Sequence, residues 1–173
     1  RRRQPTWRPP MDIELRKDAD GNEIQPKRMA CRHFAPWITK LIEEDAEMRV
    51  KNGWYVRGES PYASPVVAAK QPSRGPNVRR ICADYTAINK CAVETRHPVK
   101  NQDEVTRRLA GSKRFSSLDM KKGFHQLRLT KRASLLLAVT TSAGMWLPLT
   151  GPFGLHTLPS HFQYLLSHRL LHG

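Results

Sequence analysis

Hydrophobic positions along this chain switch between helical and strand spacing, and glycine or proline marks most of the switches. Trp37, Ile38, Leu41, Ile42, Ala46 and Met48 lie broadly on one face of a helix that Pro36 opens and Gly53 closes. A short strand over 54–56 follows, then a proline-fixed turn over 60–65 and two strands, 66–69 and 80–85. Asn101 sits in the cap position of a second helix that carries Val105, Leu109 and Ala110 and stops at Gly111. The apolar run 115–120 reads as a buried strand bearing one carboxylate, Asp119, and residues 126–129 return from Gly123 with strand-like alternation. Residues 135–141 and 145–149 read as two further strands about a turn at Gly144, and a helix over 159–166 begins near Pro159. Upstream, Asp18-Ala-Asp-Gly21 is a turn signal that predicts a small hairpin. The class is α+β with a small antiparallel sheet.

Charge changes this picture. The chain has 173 residues with thirty Lys and Arg against fifteen Asp and Glu, a net +15. Residues 1–11 hold four bases, no acid and three prolines, so they are expected to form an extended basic arm that does not fold alone. Residues 12–60 hold nine bases against ten acids, and residues 61–173 hold seventeen against five. The positive field therefore belongs to the folded second half and to the arm, and it points to a polyanion, RNA first. No apolar run approaches the eighteen residues of a membrane span, and no membrane role is expected. Arg1, Arg2, Arg3 and Arg8, with Trp7 free to stack, are the candidate RNA contacts of the arm. Arg74 and Arg79 in the acid-free loop 70–79, with Lys121 and Lys122, are those of the remainder. Arg107, Arg108, Lys113, Arg114, Lys131 and Arg132 are expected on solvated faces. Cys31, Cys82 and Cys91 lack metal-ligand spacing and fit free thiols in a reducing, intracellular compartment, a mitochondrion included.

Four blocks carry a resemblance. Ser60-Pro-Tyr-Ala-Ser-Pro-Val-Val67, Arg80-Ile-Cys-Ala-Asp-Tyr-Thr-Ala-Ile-Asn-Lys90, Leu118-Asp119 with Gly123-Phe-His-Gln126, and Pro152-Phe-Gly-Leu155 with Pro159 and Phe162-Gln163 occur in order. Together they resemble the reverse transcriptases of gypsy-like long-terminal-repeat retrotransposons, over roughly residues 35–171. The resemblance implies reverse-transcriptase fingers and a partial palm over 35–173, and the composition sets a basic extended arm with a small hairpin over 1–34 before it. The resemblance also implies that Lys70 and Arg80 touch an incoming triphosphate and that Phe124 excludes a ribose 2′-hydroxyl. Phe153 and Gly154 would lie beside nucleotide and template, and Asp119 would be the first catalytic metal ligand, for Mg2+. Tyr62, Tyr85 and Phe162 are expected to pack.

The departures from the family pattern shape the functional expectation. Nucleotidyl transfer there uses two metals held by three carboxylates, two of them an Asp pair, and no Asp-Asp pair occurs in this chain. Gly151 stands where the family usually has Met, and Leu158 where it has Ala. The chain is therefore expected to be truncated before that pair and catalytically incomplete, with no cofactor as it stands. Asp119 becomes an ancestral ligand held by the fold or by Lys121 or Lys122. The expected function is an RNA-binding structural component of a ribonucleoprotein, such as a ribosome or its mitochondrial counterpart, with rRNA or another large structured RNA and neighbouring proteins of that assembly as partners. The alternative is the N-terminal part of an active retrotransposon RNA-directed DNA polymerase. The ribonucleoprotein reading predicts that deleting residues 1–11 weakens RNA association. Each lost phosphate contact should flatten the salt slope by about 0.7 on a single strand. Binding titrated against salt measures this, and an unchanged slope would remove the arm from the interface.

Overall fold

The sheet grows from the hairpin that the basic loop closes. In the computed structural model, which describes residues 9–75, 77–94, 102–116 and 119–167, β2 (Ser64–Lys70) and β3 (Arg79–Ala83) pair antiparallel from Val66↔Ala83 to Lys70↔Arg79. A 3-10 turn over Pro72–Arg74 occupies the tip. β4 (Val139–Thr141) lies against the other side of β2, β5 (Gly144–Pro148) folds back on β4 through Gly144 at φ 124, and β1 (Tyr55–Arg57) pairs with β5. The order is β1-β5-β4-β2-β3. One pair, β2 with β4, is parallel, so the sheet is mixed where the sequence suggested a wholly antiparallel one. The long connection between β2 and β4 permits this, because a parallel pair needs a crossover rather than a tight turn. Arg1, Arg2, Arg3, Trp7, Arg8 and Asn101 lie outside the described residues.

Helix α1 (Pro36–Lys51) covers one face of the sheet, burying Ile42 and Ala46 into a cluster with Tyr55, Val66, Val139 and Trp146. Trp37 and Met48 remain about half exposed, so the buried stripe is narrower than the apolar pattern. The helix ends in a Schellman cap: Gly53, at φ 71, donates to Val50 O and Trp54 donates to Arg49 O. The short α2 (Thr86–Cys91) buries Ile88 and Cys91, and Tyr85 before it is 2% exposed with its hydroxyl donating to Leu137 O at 3.1 Å. Tyr85 and Phe162 pack as expected; Tyr62 lies against the core with its hydroxyl on Gln25.

The predicted strand over 135–141 is shortened at its start. Thr130 caps a helix, α4 (Lys131–Leu136), its hydroxyl accepting from Ala133 N at 3.1 Å, so Leu135 and Leu136 are helical and the strand begins only at Val139. Within 115–120, Phe115 is 66% exposed, Ser116 and Asp119 are exposed and irregular, and Ser117 and Leu118 lie outside the described residues. The preceding helix α3 (Gln102–Leu109) likewise leaves Val105 and Leu109 exposed. Residues 126–129 contribute only isolated bridges, Arg128↔Thr150 and Met11↔Leu129.

Residues 9–34 run as extended chain and send Met11, Ile13 and Leu15 into the core. Lys17 pairs with Glu23 across the predicted turn, which Asp18 Oδ1 secures by accepting from Asp20 N and Asn22 N. Arg132, expected to be solvated, anchors this segment: it holds both carboxylate oxygens of Glu23 at 2.6 and 2.7 Å and donates to Ile13 O at 2.8 Å. Helix formation at 131–136 turns Arg132 toward a carboxylate far away in sequence.

Arg49 fastens α1 to both sheet edges. It pairs with Asp45 at 2.6 Å and donates to Tyr55 OH at 3.3 Å on β1 and to Ile81 O at 2.9 Å on β3. Burial pushes the Asp45 carboxyl up, against the opposing pull of Arg49. Arg49→Met should cost about 3 kcal/mol by leaving a largely buried carboxylate and a carbonyl unpaired, and Arg49→Lys should not restore it, having no planar fork. Urea denaturation measures both, and an unchanged midpoint for either variant would refute this role.

Candidate nucleotide and nucleic-acid site

The start of β3, the turn at Gly123–Gln126 and the loop before α5 (Thr157–Leu165) meet around one aromatic ring, that of Phe153. The Arg80 guanidinium lies 4.8 Å from its centroid. Phe124 meets it edge-on at 5.6 Å and meets Phe162 at 5.3 Å. His125 also approaches edge-on at 5.6 Å while stacking on Trp54 at 4.2 Å and 6°. Lys122 Nζ sits 4.3 Å from the Trp54 ring. Local backbone makes the convergence possible: Lys122 is left-handed at φ 54, and a Cβ on Gly123 would come within 2.8 Å of Phe162 Cζ. Gly154, at φ 100, seats its backbone against β3, where a Cβ would lie 3.4 Å from Ala83 O.

The structure thus unites Arg80, Phe124, Phe153 and Gly154, drawn from three separate stretches of sequence. Arg74, Arg79, Arg80 and Phe153 line one open groove of about 850 Å³ together with Glu44 and Asp45 of α1. Arg79 lies over Trp37 at 5.3 Å. Lys70 is exposed at the end of β2 opposite Arg79, and no described contact joins it to the aromatic cluster. Lys121 is exposed, its carbonyl accepting from Gln126 Nε2 at 3.0 Å. Trp54, His125 and Asn89 were not singled out from the sequence. His125 and Asn89 stand inside the resembling blocks, but nothing in their spacing signals a contact with residue 153 or 154.

No family model matches the chain. It is similar to the retrovirus-related Pol polyprotein from transposon 297 of Drosophila melanogaster, 31% identical over 131 residues, or 75% of the chain and 12% of that polyprotein. The putative enzymatic polyprotein of Cassava vein mosaic virus is 27% identical over 89% of the chain and 24% of its own length. Among solved structures, the native prototype foamy virus protease-reverse transcriptase superposes with a TM-score of 0.70 at 19% identity, over 91% of the chain and 22% of that protein. The chain has the reverse-transcriptase fold. It is a reverse-transcriptase-like region, spanning about an eighth to a quarter of these curated relatives.

Within this reverse-transcriptase fold, the two unusual residues Gly151 and Leu158 prove to be one packing arrangement. A Cβ at Gly151 would lie 2.7 Å from Leu158 Cδ1 and 2.9 Å from Phe124 O, and Leu158 is 1% exposed. The leucine occupies the space that a side chain at 151 would need, and the Phe124 carbonyl closes the same space from another side.

Asp119 is exposed and makes no hydrogen bond or ion pair among the described residues. Neither Lys121 nor Lys122 holds it; Lys122 lies on Trp54 instead. Among the described residues no group of three His, Cys, Asp or Glu could hold a metal. One exposed carboxylate therefore does not fit a complete magnesium site.

The same cluster controls His125. Burial first, then the positive charges of Arg49 and Lys122, push its imidazole down to about 4 from an ordinary 6.5. The unfolded chain binds that proton more readily, so the contribution of His125 to stability is full above 6.5 and is lost as pH falls towards 4. Allowing for the ring's partial exposure, the loss between pH 6.5 and 5 should be about 1 kcal/mol. His125→Phe keeps a ring on Trp54 and should flatten this dependence in urea midpoints; parallel wild-type and variant profiles would contradict it.

Proposed function

We infer that the chain is the N-terminal, fingers-and-palm part of an RNA-directed DNA polymerase from a gypsy-like retrotransposon. The observation that carries this reading is the assembly of Arg80, Phe124, Phe153 and Gly154 into one surface beside a basic groove. In that arrangement Arg80 offers planar N–H donors to a phosphate. Phe124, its ring held edge-on between Phe153 and Phe162, presents an apolar wall that leaves no space for a sugar hydroxyl. The lysines and arginines of the loop 70–79 and of 121–122 would track a nucleic-acid backbone, and solved reverse transcriptases of the same fold carry dsDNA or an RNA/DNA hybrid. Asp119 would supply one carboxylate of the magnesium site, the remainder coming from outside this chain.

The ribonucleoprotein reading rests on charge and on the single carboxylate. The similar proteins, retroelement polyproteins and reverse transcriptases, favour the polymerase over it. The test is primer extension on an RNA template by the chain expressed with the coding sequence that follows Gly173. Magnesium-dependent extension is expected, with Asp119→Ala lowering it at least about a thousandfold. Full activity in Asp119→Ala would overturn the assignment of that residue. RNA binding without any extension would return the chain to the structural role.

A further inference from the structure

The loop 152–156 that carries Phe153 and Gly154 is fastened across the site by one side chain, Asn89. Its Nδ2 donates to Gly154 O at 2.9 Å, and its Oδ1 accepts from His156 N at 3.1 Å and lies 2.9 Å from His156 Nδ1. The amide orientation follows from chemistry: a backbone N–H can only donate and a carbonyl can only accept, so oxygen faces His156 and nitrogen faces Gly154. His156 must then carry its proton on Nδ1 when neutral. No other residue type offers this pair of ends at this length: aspartate lacks the donor and glutamine is one methylene longer.

The anchor is itself fixed. Asn89 N donates to Tyr85 O at 2.8 Å, and Tyr85 is buried with its hydroxyl on Leu137 O. Gly154 rests against Ala83 O at the end of β3, the strand whose Arg80 covers the Phe153 ring. Movement of the loop away from α2 would therefore carry Phe153 off Arg80. We propose that Asn89 is a positioning residue that sets the height of Phe153 and Gly154 at the nucleotide site. Its hydrogen bonds to the loop keep the aromatic ring and the Arg80 guanidinium in register for an incoming nucleotide. This rests on the polymerase reading.

Two measurements test it. Amide exchange is followed in the chain itself: Asn89→Ala should accelerate exchange at His156 about tenfold or more while β2 and β3 stay protected. His156→Ala, which removes only the ring contact, should leave protection at position 156 largely in place. In primer extension, Asn89→Ala should raise the nucleotide KM about tenfold with kcat within about threefold. Asn89→Asp, which keeps the acceptor and loses the donor to Gly154 O, should raise KM similarly while protecting the His156 amide. Unchanged exchange at His156 in Asn89→Ala overturns the clamp. Faster exchange with an unchanged nucleotide KM overturns its positioning role. A wild-type protein that extends no primer overturns the polymerase reading and the nucleotide role of the clamp with it, while the exchange data still decide whether Asn89 holds the loop.

Discussion

A largely buried guanidinium ties this fold together. Arg49 reaches from α1 to the hydroxyl of Tyr55 on β1 and the carbonyl of Ile81 on β3, the two outer strands of the five-stranded sheet. Taking a cation out of water is tolerable only where partners surround it, and Asp45, Tyr55 and Ile81 do so from three elements. That requirement sets where α1 lies and keeps the sheet edges at a fixed separation. The same charge reaches the site, because Arg49 and Lys122 both oppose protonation of His125.

The site is an extension of that frame. β3 leaves the Arg49 contact at Ile81 and presents Arg80 one residue earlier. Arg80 meets Phe153, Phe153 meets Phe124 and His125, and His125 stacks on Trp54 just after the α1 cap. Each link is an aromatic or cation-π contact of modest strength, about 0.5–1.5 kcal/mol. Their value is geometric: a chain of flat contacts fixes ring planes as well as distances. Asn89 adds the directional hydrogen bonds that such contacts lack.

Most of the elements around this frame were legible in sequence. Pro36 and Gly53 bound α1, the β2–β3 hairpin falls on the two strands read over 66–69 and 80–85, and Asp18 and Gly21 make the turn they predict. One difference has a local cause. Residues 135–137 look like strand because Leu is apolar in either period, and the Thr130 cap decides for helix. Arg132 is partly solvated as expected, but its pairing with Glu23 shows only in the fold.

What the sequence determined by itself was local and chemical: helix ends, turns, the basic second half, and four blocks sufficient to suggest the fold. Those properties depend on a few neighbouring residues or on a sum over many, and chain order does not obscure them. Tertiary structure alone decided which residues meet. Gly151 and Leu158, two separate departures along the chain, became one packing arrangement. Arg80, Phe124 and Phe153, dozens of residues apart, became one surface. Such contacts depend on where the sheet and its loops close in space, and side-chain periodicity carries no record of that distance.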